Sequence, residues 1–164
     1  MKLAFVTVNQ YPPNFGGIAG GNKICQQEAS AAGLPGQYDA WLSDDNLNSP
    51  SITFVQPAVP YVNLVDALIA SNWANLTSGT LSYPMDVFPS FSPPLLIGAD
   101  AGLSVWTGTN YDGTYLTGYT CNSWTNNTSG FASVGSSGAT NSEWTYNTFL
   151  PCNSGGANLY CFQQ

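Results

Sequence analysis

A chain of 164 residues has the length of one domain with a single substantial core, and residues 1–164 are read as one unit. Charged side chains make up 7% of it and the net charge is -7, against roughly 25% charged residues in ordinary soluble domains; Asn, Ser, Thr, Gly and Tyr take their place. The two basic residues, Lys2 and Lys23, cannot neutralise a run of phosphates, so nucleic acid and heparin-like polyanions are poor partners, and no stretch approaches the roughly 20 apolar residues of a membrane span.

Met1 to Val8 superficially resembles the opening of a signal peptide, but the apolar run stops at Asn9-Gln10 and Pro12-Pro13 before any cleavage-like site, and residues 3–8 read better as a first strand. The chain is then a mature or excised domain of a surface protein, or a protein released by another route. A helix follows, capped by Gly21 or Asn22, with Cys25, Ala29 and Ala32 on one face and Gly33 and Pro35 as its stop. Tyr38 to Ser43 is a short strand containing Trp41, and Asp44-Asp45-Asn46 with Ser49-Pro50 makes a polar turn. That turn offers oxygen ligands for weak calcium binding, but it lacks the spacing and glycine of an EF-hand loop and reads as a solvated turn.

A second helix is expected from Asn63, with Asp66 as a variant capping box, and from the stripe Leu64, Val65, Leu68 and Ile69, with Trp73 at its end. Residues 75–101 carry four prolines and no sustained period, which fits an irregular packed loop with short strands such as Met85 to Phe88. Val105 to Gly108 is strand-like, Asn110 to Gly113 is a turn, and Tyr115 to Trp124 is strand or extended loop. Asn126 to Ser142 is rich in Gly, Ser and Asn and reads as an exposed loop; Trp144 to Phe149 and Leu159 to Phe162 read as the last strands. Asn75, Asn126 and Asn127 fit the N-glycosylation pattern, as chance matches in so Asn- and Thr-rich a chain.

The four cysteines, Cys25, Cys121, Cys152 and Cys161, point to disulfides. A zinc site wants close cysteine pairs and often histidines, whereas the closest pair, Cys152 and Cys161, has eight residues between its members and the chain has no histidine. Two bridges in an oxidising compartment are expected, and four cysteines permit three pairings. Without histidine there is no Ser-His-Asp or Cys-His machinery, and the nine acidic residues are scattered, so no catalytic residue, metal or cofactor is assigned. Among the aromatics, Trp41, Trp73, Trp106 and Trp144 fall on elements and read as core. Trp124, Tyr111 and Tyr115 lie nearer predicted loops and are the candidate contacts to a ligand or partner.

The order of landmarks resembles endostatin, the C-terminal domain of collagens XV and XVIII. The residues that carry the likeness are Gly16 to Gly21, Cys25-Gln26-Gln27, Ala32 to Gly36, Ala40 to Ser43, Ala58 to Asp66, Ser71-Asn72-Trp73, Val105 to Gly108, Tyr119 to Trp124 and Leu159-Tyr160-Cys161. The two ends also look like the endostatin-like domain of spirochaete surface proteins. The resemblance implies an α+β fold related to the C-type lectins, with a mixed, mostly antiparallel sheet, two helices and long loops. It also implies nested bridges, Cys25 with Cys161 and Cys121 with Cys152. Endostatin's arginine clusters and N-terminal histidines have no counterpart, so its heparan sulfate and zinc chemistry is not carried over. Glu143-Trp144 and Tyr146-Asn147 stand near the lectins' calcium region without its Glu-Pro-Asn or Trp-Asn-Asp tripeptides. The expectation is a non-catalytic extracellular, cell-surface or virion-surface module. It would bind a protein or glycan through loop aromatics and polar side chains, or pack against copies of itself as a virion, tail-fibre or filament subunit.

Overall fold

The computed structural model describes residues 1–89, 95–96 and 102–164. A five-stranded sheet forms its centre. β1 (Lys2–Val6) and β10 (Tyr160–Gln163) pair antiparallel in the middle, β2 (Tyr38–Ala40) adds to the outside of β10, and β3 (Tyr61–Val62) pairs parallel to β1 and antiparallel to β4 (Leu68–Ala70). Leu3 and Phe5 of β1, with Cys161 of β10, face one apolar cluster; Ala4 and Val6, with Tyr160 and Phe162, face another. The period-2 alternation of a strand thus divides the interior into two cores across one sheet.

Helix α1 (Gly17–Ala31) covers the first face through Cys25 and Ala29, and Cys25 is bridged to Cys161 with Cα atoms 5.3 Å apart. The helix begins several residues before the expected Gly21 or Asn22, capped by the left-handed backbone of Gly16. Glycine is a poor helix former, but a side chain at Gly20 would clash with the Phe15 carbonyl and one at Gly21 would meet Leu42, so close approach outweighs propensity here. The second cluster is aromatic. Trp41 lies with its ring centroid 4.9 Å from Trp144, 5.5 Å from Phe162 and 5.7 Å from Phe54, and its indole N–H donates to Thr145 Oγ1 at 2.8 Å.

The second helix expected from Asn63 to Trp73 does not form. Asn63 Oδ1 accepts the backbone N–H groups of Val65 and Ala67, Asp66 takes φ 60, and the chain turns back to lay β4 on β3. A short Asn side chain offers the backbone a turn in competition with a helix, and here the turn wins. Short helical turns do occur at α2 (Pro50–Thr53) and α3 (Trp73–Leu76), the latter capped by Asn72 Oδ1 accepting the Asn75 N–H at 3.0 Å. β5 (Val87–Phe88) pairs with β6 (Leu95–Leu96); the rest of the expected irregular stretch from residue 90 to 101 lies outside the described residues.

A second sheet, ordered β7-β8-β9, comprises β7 (Ser104–Trp106), β8 (Phe131–Ser136) and β9 (Thr148–Pro151). The central strand runs through what composition marks as an exposed Gly/Ser/Asn loop. Its inward residues, Ala132 and Val134, are too small to raise the local hydrophobicity, and Gly135 has no room for a side chain because the Trp144 carbonyl occupies that place. The strand expected from Trp144 is a 3₁₀ turn, Ser142–Trp144, before β9 begins. Asn158 ties the two sheets: its carbonyl accepts the Trp106 N–H at 3.0 Å, and its side-chain Nδ2 donates to the Thr7 carbonyl at 2.6 Å.

The second bridge joins Cys121 to Cys152, so the connectivity is nested, with 136 residues of separation in the outer bridge and 31 in the inner. On chain-entropy grounds these restrict the unfolded chain by about 5 and about 4 kcal/mol respectively. No helix among the described residues is long and apolar enough to cross a membrane.

Two of the three buried tyrosines of the sheet, Tyr38 and Tyr61, have costly hydroxyls, whereas the Tyr160 hydroxyl is bonded. Tyr38 and Tyr61 are buried, their hydroxyls have no hydrogen-bond partner among the described residues, and desolvation pushes both phenols up to about 12 from the usual 10. A raised folded-state pKa contributes stability that is complete below the unfolded value and lost as pH rises through the folded one. Stability followed by urea denaturation should therefore fall between about pH 10 and 12. The Tyr38→Phe/Tyr61→Phe protein should fall less; an equal fall in both would contradict the assignment.

Candidate functional site

Trp124 is not a loop contact. It ends a single left-handed turn, Cys121–Trp124, in which four consecutive non-glycine residues hold φ between 49 and 61. Such backbone costs roughly 1–2 kcal/mol per residue, and its surroundings hold it in place. Cys121 is bridged to Cys152, Thr120 Oγ1 accepts the Ser123 N–H at 3.2 Å, and the Trp124 N–H donates to the Thr120 carbonyl at 2.8 Å. The Trp124 ring is fully buried, stacked on Phe15 at 5.6 Å, with its indole N–H on the Ser43 carbonyl at 3.0 Å. Gly108 makes room for it: φ is +58, and a side chain there would stand 2.8 Å from the Ser43 carbonyl and 3.0 Å from the indole. The absence of an apolar period around Trp124 gave no sign of this burial, which depends on residues far apart in sequence.

The segment from Gly108 to Thr120 carries the other two candidates. Asn110 and Thr114 close a turn, in which Asp112 Oδ1 accepts the Thr114 N–H at 3.0 Å. Tyr111 stands out from it, 46% exposed, with its ring against Gly79. Tyr115 is half-buried, and its hydroxyl accepts the Gly118 N–H at 3.0 Å, so it braces the loop.

The largest exposed aromatic grouping lies further along the same segment. Thr120 bridges to Ala132, and both are buried, so their neighbours Tyr119 and Phe131 project from the opposite, outer face of β8. Ser133 pairs with Phe149, and Tyr119 stacks on Phe149 with ring centroids 4.1 Å apart. Tyr146 also packs on Phe149, tilted at 48° with ring centroids 5.4 Å apart. Phe131 is 53% exposed, Tyr146 39% and Tyr119 38%. From Gly113 to Gln164 the only charged side chain is Glu143. The result is a sheet face of four rings, largely free of charge, bordered by the edge strand β9.

Phe131, Tyr146, Phe149 and Tyr119 were all missed as candidates from sequence. The signal that could have found Phe131 is the pair Ala132 and Val134 two residues apart beside it, which marks a strand with those residues facing in, although Ser133 and Gly135 are buried as well.

This chain is similar to part of a human collagen. It is 34% identical over 114 residues to the collagen alpha-1(XVIII) chain of Homo sapiens, a match that takes in 66% of this chain. The chain spans about 6% of the length of that relative. No family model matches it. The match agrees with the endostatin-like resemblance, and the α+β architecture with two disulfides is consistent with it.

Elsewhere, Asp44 is partly buried with Oδ1 unpartnered among the described residues, and desolvation raises its pKa. Asp45 instead turns its Oδ1 to the backbone N–H groups of Leu47 and Asn48 at 2.7 and 2.9 Å. Among the described residues no three carboxylate or thiol groups gather in one place.

The left-handed turn makes its own test. Ser123 holds φ 56, a region glycine occupies without penalty. Ser123→Gly should raise unfolding stability by up to about 1 kcal/mol, measured by urea denaturation. A loss of that size would mean that the Ser123 side chain, and not relief of backbone strain, governs the position.

Proposed function

We propose that this chain is a non-catalytic extracellular binding module that recognises a protein or glycan partner through its aromatic sheet face. Tyr119, Phe131, Tyr146 and Phe149 form the contact, and the loop bearing Tyr111 and Tyr115 flanks it in sequence. One observation carries this reading: Tyr119 and Tyr146, each more than a third exposed, both pack on Phe149 of β9, and Phe131, 53% exposed, stands on the neighbouring strand β8. Exposed apolar groupings of this kind are uncommon on monomeric proteins and mark interaction surfaces. Phe131 and Phe149 have no hydrogen-bonding group, which favours a protein surface over a sugar. The two bridges and the similarity to a collagen segment support an extracellular setting. A chain without histidine and with dispersed carboxylates supports a non-catalytic role.

A specific observation favours a second reading, in which the partner is another copy of the chain in a virion, fibre or filament. β9 is an edge strand beside the aromatic face, and an open edge is a template for pairing.

Arrays of matrix and cell-surface proteins and glycans, probed with the wild type and with Phe131→Ser/Phe149→Ser, test the first reading. Saturable binding weakened at least about tenfold by the double substitution is the expected result; binding that the substitution leaves unchanged contradicts it. Light scattering after size exclusion separates the readings, because a monomer at every concentration tells against the self-assembling subunit.

A further inference from the structure

Trp73 differs from the other four tryptophans. Trp41, Trp106 and Trp124 are fully buried with their indole N–H groups bonded to Thr145, Tyr11 and Ser43, and Trp144 is fully buried with its N–H unpartnered among the described residues. Trp73 is only partly buried, packed on one side against Trp41 at 6.0 Å and Phe54 at 6.3 Å. Among the described residues its indole N–H has no acceptor. It also lines a cleft of about 280 Å³ with Gln56, Pro57, Ala58, Asn72 and Ala74. That volume falls just below the roughly 300–1,000 Å³ of small-molecule sites, which suits a single small ring.

The two carboxamides of this cleft are each fixed at one end. Gln56 Nε2 donates to the Ser51 carbonyl at 2.7 Å, which leaves its Oε1 as an acceptor. Asn72 Oδ1 accepts the Asn75 N–H at 3.0 Å in capping α3, which leaves its Nδ2 as a donor. The cleft therefore combines an aromatic wall, one positioned acceptor and two unused donors, and none of its lining residues carries a charge. We infer that it binds a single uncharged pyranose ring of a neutral glycan. The apolar C–H face of such a ring covers indole, and its hydroxyls both donate to Gln56 Oε1 and accept from Asn72 Nδ2 and Trp73 Nε1. A sulfated or carboxylated sugar meets no cation here and a chain of net charge -7. With no carboxylate in the lining, binding is independent of calcium. The cleft shares no residue with the aromatic sheet face, so either proposal can fail without the other.

The experiment is a titration of the full chain followed by the indole N–H resonances, with Trp73 assigned by Trp73→Phe. The probes are cellotriose, maltotriose and chitotriose, a sulfated heparin trisaccharide, and a proline-rich peptide as an alternative stacking ligand. At least one neutral sugar should shift the Trp73 signal saturably with a Kd on the order of 1 mM. The shift should survive EDTA and weaken about tenfold or more in Gln56→Ala and in Ala74→Arg, which fills the cleft from an exposed position. Unmoved signals from the other four tryptophans certify that these variants fold. No Trp73 shift with any neutral sugar, a shift that Ala74→Arg leaves intact, or a response to the peptide or sulfated sugar alone overturns the inference.

Discussion

The pairing of β1 with β10 is the constraint on which the remaining structure depends. The first and last strands of the chain lie side by side at the centre of the five-stranded sheet, in the register Ala4 to Phe162, Phe5 to Cys161 and Val6 to Tyr160. A slip of β10 by one residue would send Cys161 into the aromatic cluster and Tyr160 and Phe162 under the helix. Two bonds resist that slip. The Cys25–Cys161 bridge fixes β10 to α1, and the Tyr160 hydroxyl donates to the Trp144 carbonyl at 2.7 Å in the opposite core. Once the ends are locked, Asn158 fixes the second sheet to the first, and the aromatic face takes its place on that second sheet.

What was legible in the sequence follows from how local the cause is. β1, the Cys25 face of α1, the Asp112-Gly113 turn and β10 are set by nearby residues, and they stand where composition and period place them. The helix expected after Asn63 failed because one side-chain oxygen bonding two backbone N–H groups outweighs an apolar stripe. β8 was hidden because its buried residues, Ala132, Ser133, Val134 and Gly135, are too small or too polar to stand out as an apolar run. The nested bridges came from the likeness to endostatin and not from the spacing of the cysteines.

The candidate site was legible only in part. Tyr111 is exposed as its loop position implies, and Tyr115 is turned to bracing its own loop. Trp124 lies at the other extreme, buried at the end of a strained turn whose conformation no local propensity favours. Its burial has a use, because the turn leads out of the segment carrying Tyr119 and into β8. The inner bridge and the pairing of Thr120 with Ala132 thus hold together the two stretches of chain that build the aromatic face, against the strain at Cys121–Trp124.

The central claim is that recognition occurs on an aromatic face with almost no charge, on a chain that is itself acidic. The dependence of partner binding on ionic strength tests this most directly. Apolar contacts are not screened, whereas charge pairing weakens as the Debye length shrinks from about 10 Å at 0.1 M to about 3 Å at 1 M salt. Affinity for a partner captured through this face should stay level or rise across that range. A loss of about tenfold or more would mean that the nine carboxylates, and not the rings of Tyr119, Phe131, Tyr146 and Phe149, make the contact.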